Sequence, residues 1–160
     1  MIMESEILSI KLGLVGTYWD TSPEYRIKFN DQLISEGLIN APSGQVQFIE
    51  CRVDNNQPQG VLTVELLNKN PDRDTVKSNY DSADYTIVKD MMLDVDSLLV
   101  DDIDLGNLIY TASEYRPNYP DNYQSENKPE VITGTKTMGW NGVWSMTWGN
   151  PFYIWLLESL

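Results

Sequence analysis

Apolar residues along this chain recur at every second position far more often than at every third or fourth. Ile7, Leu8, Ile10, Leu12 and Leu14 punctuate the first segment mostly at period two, the spacing of a strand with one face in a core. Tyr25, Ile27 and Phe29 alternate with Arg26 and Lys28. Asn30 and Asp31 follow as a turn signal before Leu33 and Ile34, so this stretch reads as a hairpin. Val46, Phe48 and Cys51 lie near one face of a further strand that carries an irregularity. The β-branched and apolar runs at 61–67, 85–88, 92–100, 142–148 and 152–157 extend the series. Clusters of Asn, Gly, Pro and Asp at 55–60, 68–72 and 118–129 separate them and supply the backbone angles that turns need. No stretch sustains a 3.6-residue apolar stripe, and the best helix candidate is the short segment 31–37. The count is about eight to ten strands at intervals of about 8–12 residues, the signature of an antiparallel sandwich or barrel.

Neither an internal repeat nor an interdomain linker interrupts the pattern, so residues 1–160 are read as one β-sandwich domain. One gap is long. Residues 111–131 form the longest loop the pattern allows, and loops of that length in compact domains are usually functional or disordered. Its contents argue for order, because Tyr115, Tyr119 and Tyr123 fall within nine residues and disordered segments are poor in aromatics.

Charge narrows the partners. The chain carries 24 acidic and 11 basic residues, a formal net charge of −13. Phosphate backbones are repelled by such a surface, so nucleic acid is a poor partner, and an anionic membrane is equally poor. No apolar run approaches the roughly 20 residues of a membrane-spanning helix. The first residues, Met1 to Glu6, are acidic and lack the basic and apolar regions of a secretory signal. There is one cysteine, Cys51, and no histidine. An internal disulfide is therefore impossible, a zinc site would be unusual, and the common thiol and serine mechanisms lose their general base. Cys51 reads as a small buried hydrophobe more than as a nucleophile.

Two groups of residues could carry binding chemistry. Asp90, Asp94, Asp96, Asp101, Asp102 and Asp104 form a dense carboxylate segment, and hard cations such as Ca²⁺ take six to eight oxygen ligands. On a strand Asp94 and Asp96 share a face, opposite Leu93 and Val95. The alternative is a polar strand face followed by an Asp-rich turn at 100–103; the spacing is not that of an EF-hand. Asp72, Asp74, Asp81 and Asp84 form a second, looser group.

The other group is aromatic. Trp19, Trp140, Trp144, Trp148 and Trp155 are the five tryptophans. Trp144 and Trp148 share a strand face and either fill a core or form a platform, while Trp19 and Trp140 sit at strand ends. Sugars stack their C–H faces on aromatic rings, and their hydroxyls seek Asp, Asn and Arg. The loop residues Tyr115, Arg116, Tyr119, Asp121, Asn122 and Tyr123 are the candidate ligand-binding set. The C-terminal run 151–160 is too apolar for a free tail and reads as a strand that packs on the domain or on another subunit, a possible homo-oligomer contact. Chance pairs among so many carboxylates make a glycoside hydrolase a weak reading.

The segment Leu93-Asp94-Val95-Asp96-Ser97-Leu98-Leu99-Val100-Asp101-Asp102-Ile103-Asp104-Leu105, preceded by Tyr85-Thr86-Ile87-Val88, resembles a recurrent pattern of small jelly-roll modules. It is similar to the calcium-dependent xylan-binding carbohydrate-binding modules, and also to small β-sandwich proteins of tailed-phage virions. The resemblance spans roughly the middle third of the chain. It implies a jelly-roll-like antiparallel β-sandwich, no catalysis, and Ca²⁺ held by Asp94, Asp96, Asp101 and Asp102 and bound directly by sugar hydroxyls. The chain departs from the xylan-binding modules in lacking a disulfide and an export signal, which suits a virion component assembled in the cytoplasm. The expected activity is carbohydrate binding, on a virion or an extracellular surface. The alternative is a structural protein of a virion, whose partners are other subunits.

Overall fold

A computed structural model describes residues 6–78, 86–121, 123 and 127–160. It is an antiparallel β-sandwich. One sheet is built from β1 (Ile7–Thr17), β4 (Val46–Asp54), β8 (Met92–Val100), β9 (Ile103–Asp104) and β12 (Thr137–Met138), in the order β12-β8-β1-β4 with β9 paired to β8. The other contains β2 (Glu24–Phe29), β3 (Gln32–Leu38), β5 (Gln59–Leu66), β10 (Ser113–Pro117), β11 (Ile132–Thr133) and β13 (Gly142–Gly149), in the order β11-β10-β13-β5-β2-β3. A separate two-stranded ribbon joins β6 (Val76–Lys77) to β7 (Ile87–Lys89).

Strand alternation explains the core. Leu8, Ile10, Leu12 and Leu14 of β1 and Leu93, Val95, Leu98 and Val100 of β8 face inward from the first sheet. The second sheet answers with Tyr25, Ile27 and Phe29, with Leu62, Val64 and Leu66, and with Trp144, Met146 and Trp148. The jump from Val95 to Leu98 in β8 marks a bulge, at which the register against β1 shifts between Gly13 and Leu14. One extra residue there keeps both halves of the strand facing the core. Trp144 and Trp148 are fully buried, so their strand face is core and not a sugar platform.

Two hairpins turn on consecutive residues of positive φ: Asn30 and Asp31 at 47° and 66°, Asp101 and Asp102 at 49° and 64°. Paired positive φ in a two-residue loop is the type I′ turn, which matches the twist of the flanking strands and favours Asn and Asp. The expected hairpin at residue 30 is present. The segment 31–37, the best helix candidate in the sequence, is not helical: Gln32–Leu38 is β3, the second arm of that hairpin, because the turn commits the chain to pairing with β2 and the register then runs from Phe29–Gln32 to Glu24–Leu38.

The C-terminal run corrects the sequence reading in the opposite sense. Phe152–Ser159 is a helix, α3, not a strand. Phe152 and Leu156, four apart, are buried, with Trp155 partly so, while Tyr153, Ile154 and Leu157 are exposed. Phe152 meets Trp148 edge to face at 5.2 Å. A strand would have buried Phe152 with Ile154; a single helical turn returns Leu156 to the same core instead. The stretch expected as one loop at 111–131 is also partly regular. It opens at the end of α2 (Leu108–Thr111) and contains β10.

Candidate functional site

Register places several connections at one end of the sandwich. Pro117 of β10 pairs with Gly142 of β13, which pairs with Leu66 of β5, which pairs with Tyr25 of β2. In the facing sheet Thr17 pairs with Met92, and Leu93 with Met138. The segments following β1, β5, β10 and β12 therefore emerge at this end. They carry Trp19, Lys69, Tyr119 and Trp140.

Trp140 is the centre. The Tyr115 hydroxyl accepts from the Trp140 backbone N–H at 3.0 Å and donates to its carbonyl at 2.5 Å. Burial drives the Tyr115 hydroxyl pKa up to about 12 against the Trp140 hydrogen bond that lowers it, so it stays neutral and able to do both. Tyr123 approaches the Trp140 ring edge-on at 4.8 Å, Tyr119 lies 6.2 Å from it, and Tyr119 and Tyr123 stack at 5.2 Å with ring planes only 5° apart. The Tyr119 hydroxyl donates to the Pro129 carbonyl at 3.0 Å, tying the cluster across its own loop. The result is a pocket of about 230 Å³ lined by Lys69, Asn118, Tyr119, Asp121, Trp140 and Asn141.

Beneath the rings lies a buried cation. The Lys69 side chain is 3% exposed and its Nζ sits 2.8 Å from Asp90 Oδ1. The same ammonium donates to the Gly139 carbonyl at 2.5 Å and lies 4.8 Å from the Trp140 ring centroid. Asn141 clamps the Lys69 backbone, accepting from its N–H at 2.7 Å and donating to its carbonyl at 3.0 Å. Next to it, the short helix α1 (Pro71–Asp74) carries Asp74. Burial works to raise the Asp74 carboxyl, but the Arg73 guanidinium and the Asn70 N–H outweigh it and hold it below the usual carboxylate range. The Asp74 carbonyl in turn accepts from the Trp19 indole at 2.9 Å.

Of the six expected ligand-binding residues, Tyr119, Asp121 and Tyr123 meet here. Tyr115 does not reach the surface. It is 2% exposed, because its place on β10 points it into the core, and its role is to hold Trp140. Arg116, one residue on, points out of the sheet and pairs with Glu114 at 3.3 Å. Asn122 lies outside the described residues.

The four expected metal ligands do not form one set. Asp94 and Asp96 flank inward-facing Val95 on the outer surface of β8, as the strand period requires. Asp94 pairs in register with Thr137, and Asp96 lies 3.6 Å from Lys136 Nζ. Asp101 and Asp102 are the hairpin turn at the opposite end of β8, five or more residues away, roughly 16 Å at about 3.3 Å per residue. Asp101 is already engaged, accepting from the Ser9 N–H at 2.8 Å and from the Tyr153 hydroxyl. Among the described residues no three carboxylate or thiol groups converge as metal ligands. Asp74, from the looser acidic group, is held by Arg73; Asp81 and Asp84 lie outside the described residues. As a single calcium cage the four aspartates do not fit.

Lys69 and Asn141 escaped the sequence reading. Lys69 sits in an Asn-Lys-Asn stretch that reads as a solvated turn, and no local pattern marks a lysine for burial. Trp140 was legible as a tryptophan at a strand end.

Fold and site together define a β-sandwich that presents an aromatic, polar-rimmed pocket on the connections at one end. No protein-family model matches the sequence, and no curated protein matches it. Solved structures do. The selenomethionine form of vCBM60, from work on two families of calcium-dependent carbohydrate binding modules, superposes with a TM-score of 0.53 at 12% identity, covering 87% of this chain and 89% of that one. vCBM60 in complex with galactobiose gives 0.51 at 11% identity, covering 86% and 96%. At this identity the likeness establishes the fold, an antiparallel sandwich of the kind found in carbohydrate-binding modules.

Proposed function

We propose that this chain is a non-catalytic carbohydrate-binding module whose sugar site is the pocket between Tyr119 and Trp140. The carrying observation is the composition of that pocket. Fixed aromatic faces stand beside Asn118, Asp121 and Asn141, pairing the stacking surface of a pyranose with acceptors and donors for its hydroxyls. The fold likeness to a module solved with galactobiose supports the reading. The calcium named for those modules would here rest on Asp94 and Asp96, with two carboxylates against the six to eight oxygens the ion takes. The rest would come from water or sugar hydroxyls. The setting we propose is a virion or an extracellular surface.

Calorimetric titration with galactobiose and with xylo-oligosaccharides tests the site. Trp140→Ala is expected to weaken binding by about tenfold or more, the usual consequence of truncating a tryptophan anchor. Tyr115 holds only the backbone of residue 140, so the fold should survive. Arg116→Ala should leave affinity unchanged. Equal affinity in wild type and Trp140→Ala would move the sugar site elsewhere.

One observation favours a second reading, a structural subunit of a larger assembly. Ile154, Leu157 and Leu160 are exposed on and just beyond α3, at 53%, 72% and 87%, and apolar surface of this kind commonly marks an interface. Self-association would show in sedimentation velocity across a wide concentration range and should be lost in Leu157→Glu; a monomer at every concentration would remove the homo-oligomer form of this reading.

A further inference from the structure

Beside the proposed sugar pocket lies a second groove, of about 380 Å³, lined by Tyr18, Trp19, Ile87, Val88, Asp90 and Met92 among others. It falls within the usual range for small-ligand sites, roughly 300–1,000 Å³, whereas the Tyr119–Trp140 pocket at about 230 Å³ lies below it. The two share a wall one ion pair thick. Asp90 lines the groove, Lys69 lines the pocket, and the two are joined at 2.8 Å.

The groove has the features of a stacking subsite. The Trp19 ring is 45% exposed, yet its indole N–H is fixed on the Asp74 carbonyl and Lys89 Nζ lies 4.8 Å from its centroid. Little rotamer freedom is left to lose on binding. Ile87 and Val88 are successive residues of β7 and both are exposed, at 48% and 56%. Successive strand residues point to opposite faces, so at Ile87 and Val88 both faces of the ribbon present apolar surface. Asp90 Oδ1 takes the Lys69 ammonium, the Thr75 hydroxyl and the Met91 N–H. Asp90 thereby sets a carboxylate at the junction of the two cavities.

Building on the sugar-site reading, we infer that the Trp19 groove is a second subsite for the same ligand. The ligand class is then an oligosaccharide gripped along its chain, from the Trp140 platform across the Lys69–Asp90 pair to the Trp19 platform. A monosaccharide or a lone chain end would use only the first pocket.

Titrating xylo- and galacto-oligosaccharides of one to six sugars into wild type, Trp19→Ala, Val88→Asp and Trp140→Ala separates the possibilities. In wild type, affinity should rise about tenfold or more between two and four sugars, as a second platform adds its contribution. Trp19→Ala and Val88→Asp should abolish that rise and leave disaccharide affinity within about twofold, while Trp140→Ala lowers affinity at every length. Val88 is exposed, so its variant keeps the test alive if Trp19→Ala folds poorly. Affinity flat with length in wild type, or a rise preserved in both groove variants, overturns the second subsite and leaves the first pocket standing. A wild type that binds no saccharide of any length overturns the sugar reading itself, and the subsite with it.

Discussion

The Lys69–Asp90 pair gives the sharpest test of how this end of the molecule is built. Replace Lys69 with Met. The new side chain keeps the length and apolar stem, but Asp90 loses its counter-charge and the Gly139 carbonyl loses a donor. Removing one partner of a fully buried ion pair costs about 3–5 kcal/mol. Here the Asp90 side chain retains 18% exposure and two further donors, the Thr75 hydroxyl and the Met91 N–H, so about 2–3 kcal/mol is the reasoned figure. For a chain of this length each kcal/mol moves Tm by about 2–4 °C, giving a fall of about 5–10 °C. Asp90→Asn alone should also destabilise, by stranding the buried ammonium. The double variant removes both charges and should recover more than half of the loss, since deleting a buried pair as a whole is often close to neutral. Thermal unfolding of the four proteins at pH 7 closes the cycle and yields a coupling energy of about 2–3 kcal/mol. A fall of less than about 2 °C for Lys69→Met, or a double variant no more stable than either single, would refute the claim that the pair anchors these loops.

Three further perturbations follow from the packing and the charges. Gly60→Ala would place a Cβ 2.3 Å from the Trp148 indole nitrogen, in a ring already packed on Phe29 and Phe152, so a loss of about 2–3 kcal/mol is expected in urea unfolding. Phe152→Ala should cost about 3–5 kcal/mol, and deleting 152–160 should lower the stability of the whole domain; a truncated protein as stable as the full chain would show that α3 only decorates the core. Asp94 is shifted upward, first by burial and then by Asp96, against Thr137 and Lys136. Because its folded value exceeds its unfolded one, the native state holds that proton more tightly, and stability falls as pH rises from the unfolded value through the folded one. Asp94→Asn should therefore raise Tm at pH 7 in EDTA and lose its advantage near about pH 3, below the unfolded value; a lower Tm in EDTA at pH 7 would refute the burial argument. Excess Ca²⁺ should raise Tm in wild type and not in the variant if Asp94 holds the ion.

The fold was legible wherever one strand face is buried and the other wet, because period-two alternation is then written directly into residue type. β1, β2, β5 and β8 are of this kind. Legibility failed where the apolar run had no polar face to set its period. Residues 152–157 are apolar at nearly every position, and such a run does not distinguish a strand from a helix buried on one side. What decides it is tertiary: Trp148 offers a surface that Phe152 and Trp155, three apart, meet together at helical spacing, at 5.2 and 6.5 Å. The helix candidate at 31–37 yields to the hairpin for a different reason. The Asn30-Asp31 turn was read correctly, but its consequence, that the next residues must pair back onto β2, outranks any local helical preference.

The candidate pocket was legible in part for a physical reason of the same order. An aromatic loop announces itself by composition, so Tyr119, Tyr123 and Asp121 were within reach. A carboxylate does not announce its use. Asp101 and Asp102 lie in the same acidic run as Asp94 and Asp96, yet they are turn residues, at positions that suit Asp because it tolerates positive φ. Asp90 belongs to the same acidic run and serves to neutralise a lysine 21 positions away in sequence. Five aspartates within thirteen residues thus perform three different tasks, and only the sheet register separates them. The proposed binding function accordingly rests on the loop end more than on the acidic strand. There a chain of formal charge −13 sets lysines against its aromatic rings, Lys69 at Trp140, Lys89 at Trp19 and Lys128 at Tyr123. A cation near a ring fixes that ring's environment without requiring an anionic ligand. A neutral sugar chain, the occupant proposed above, conflicts with neither the aromatic faces nor the surrounding negative charge.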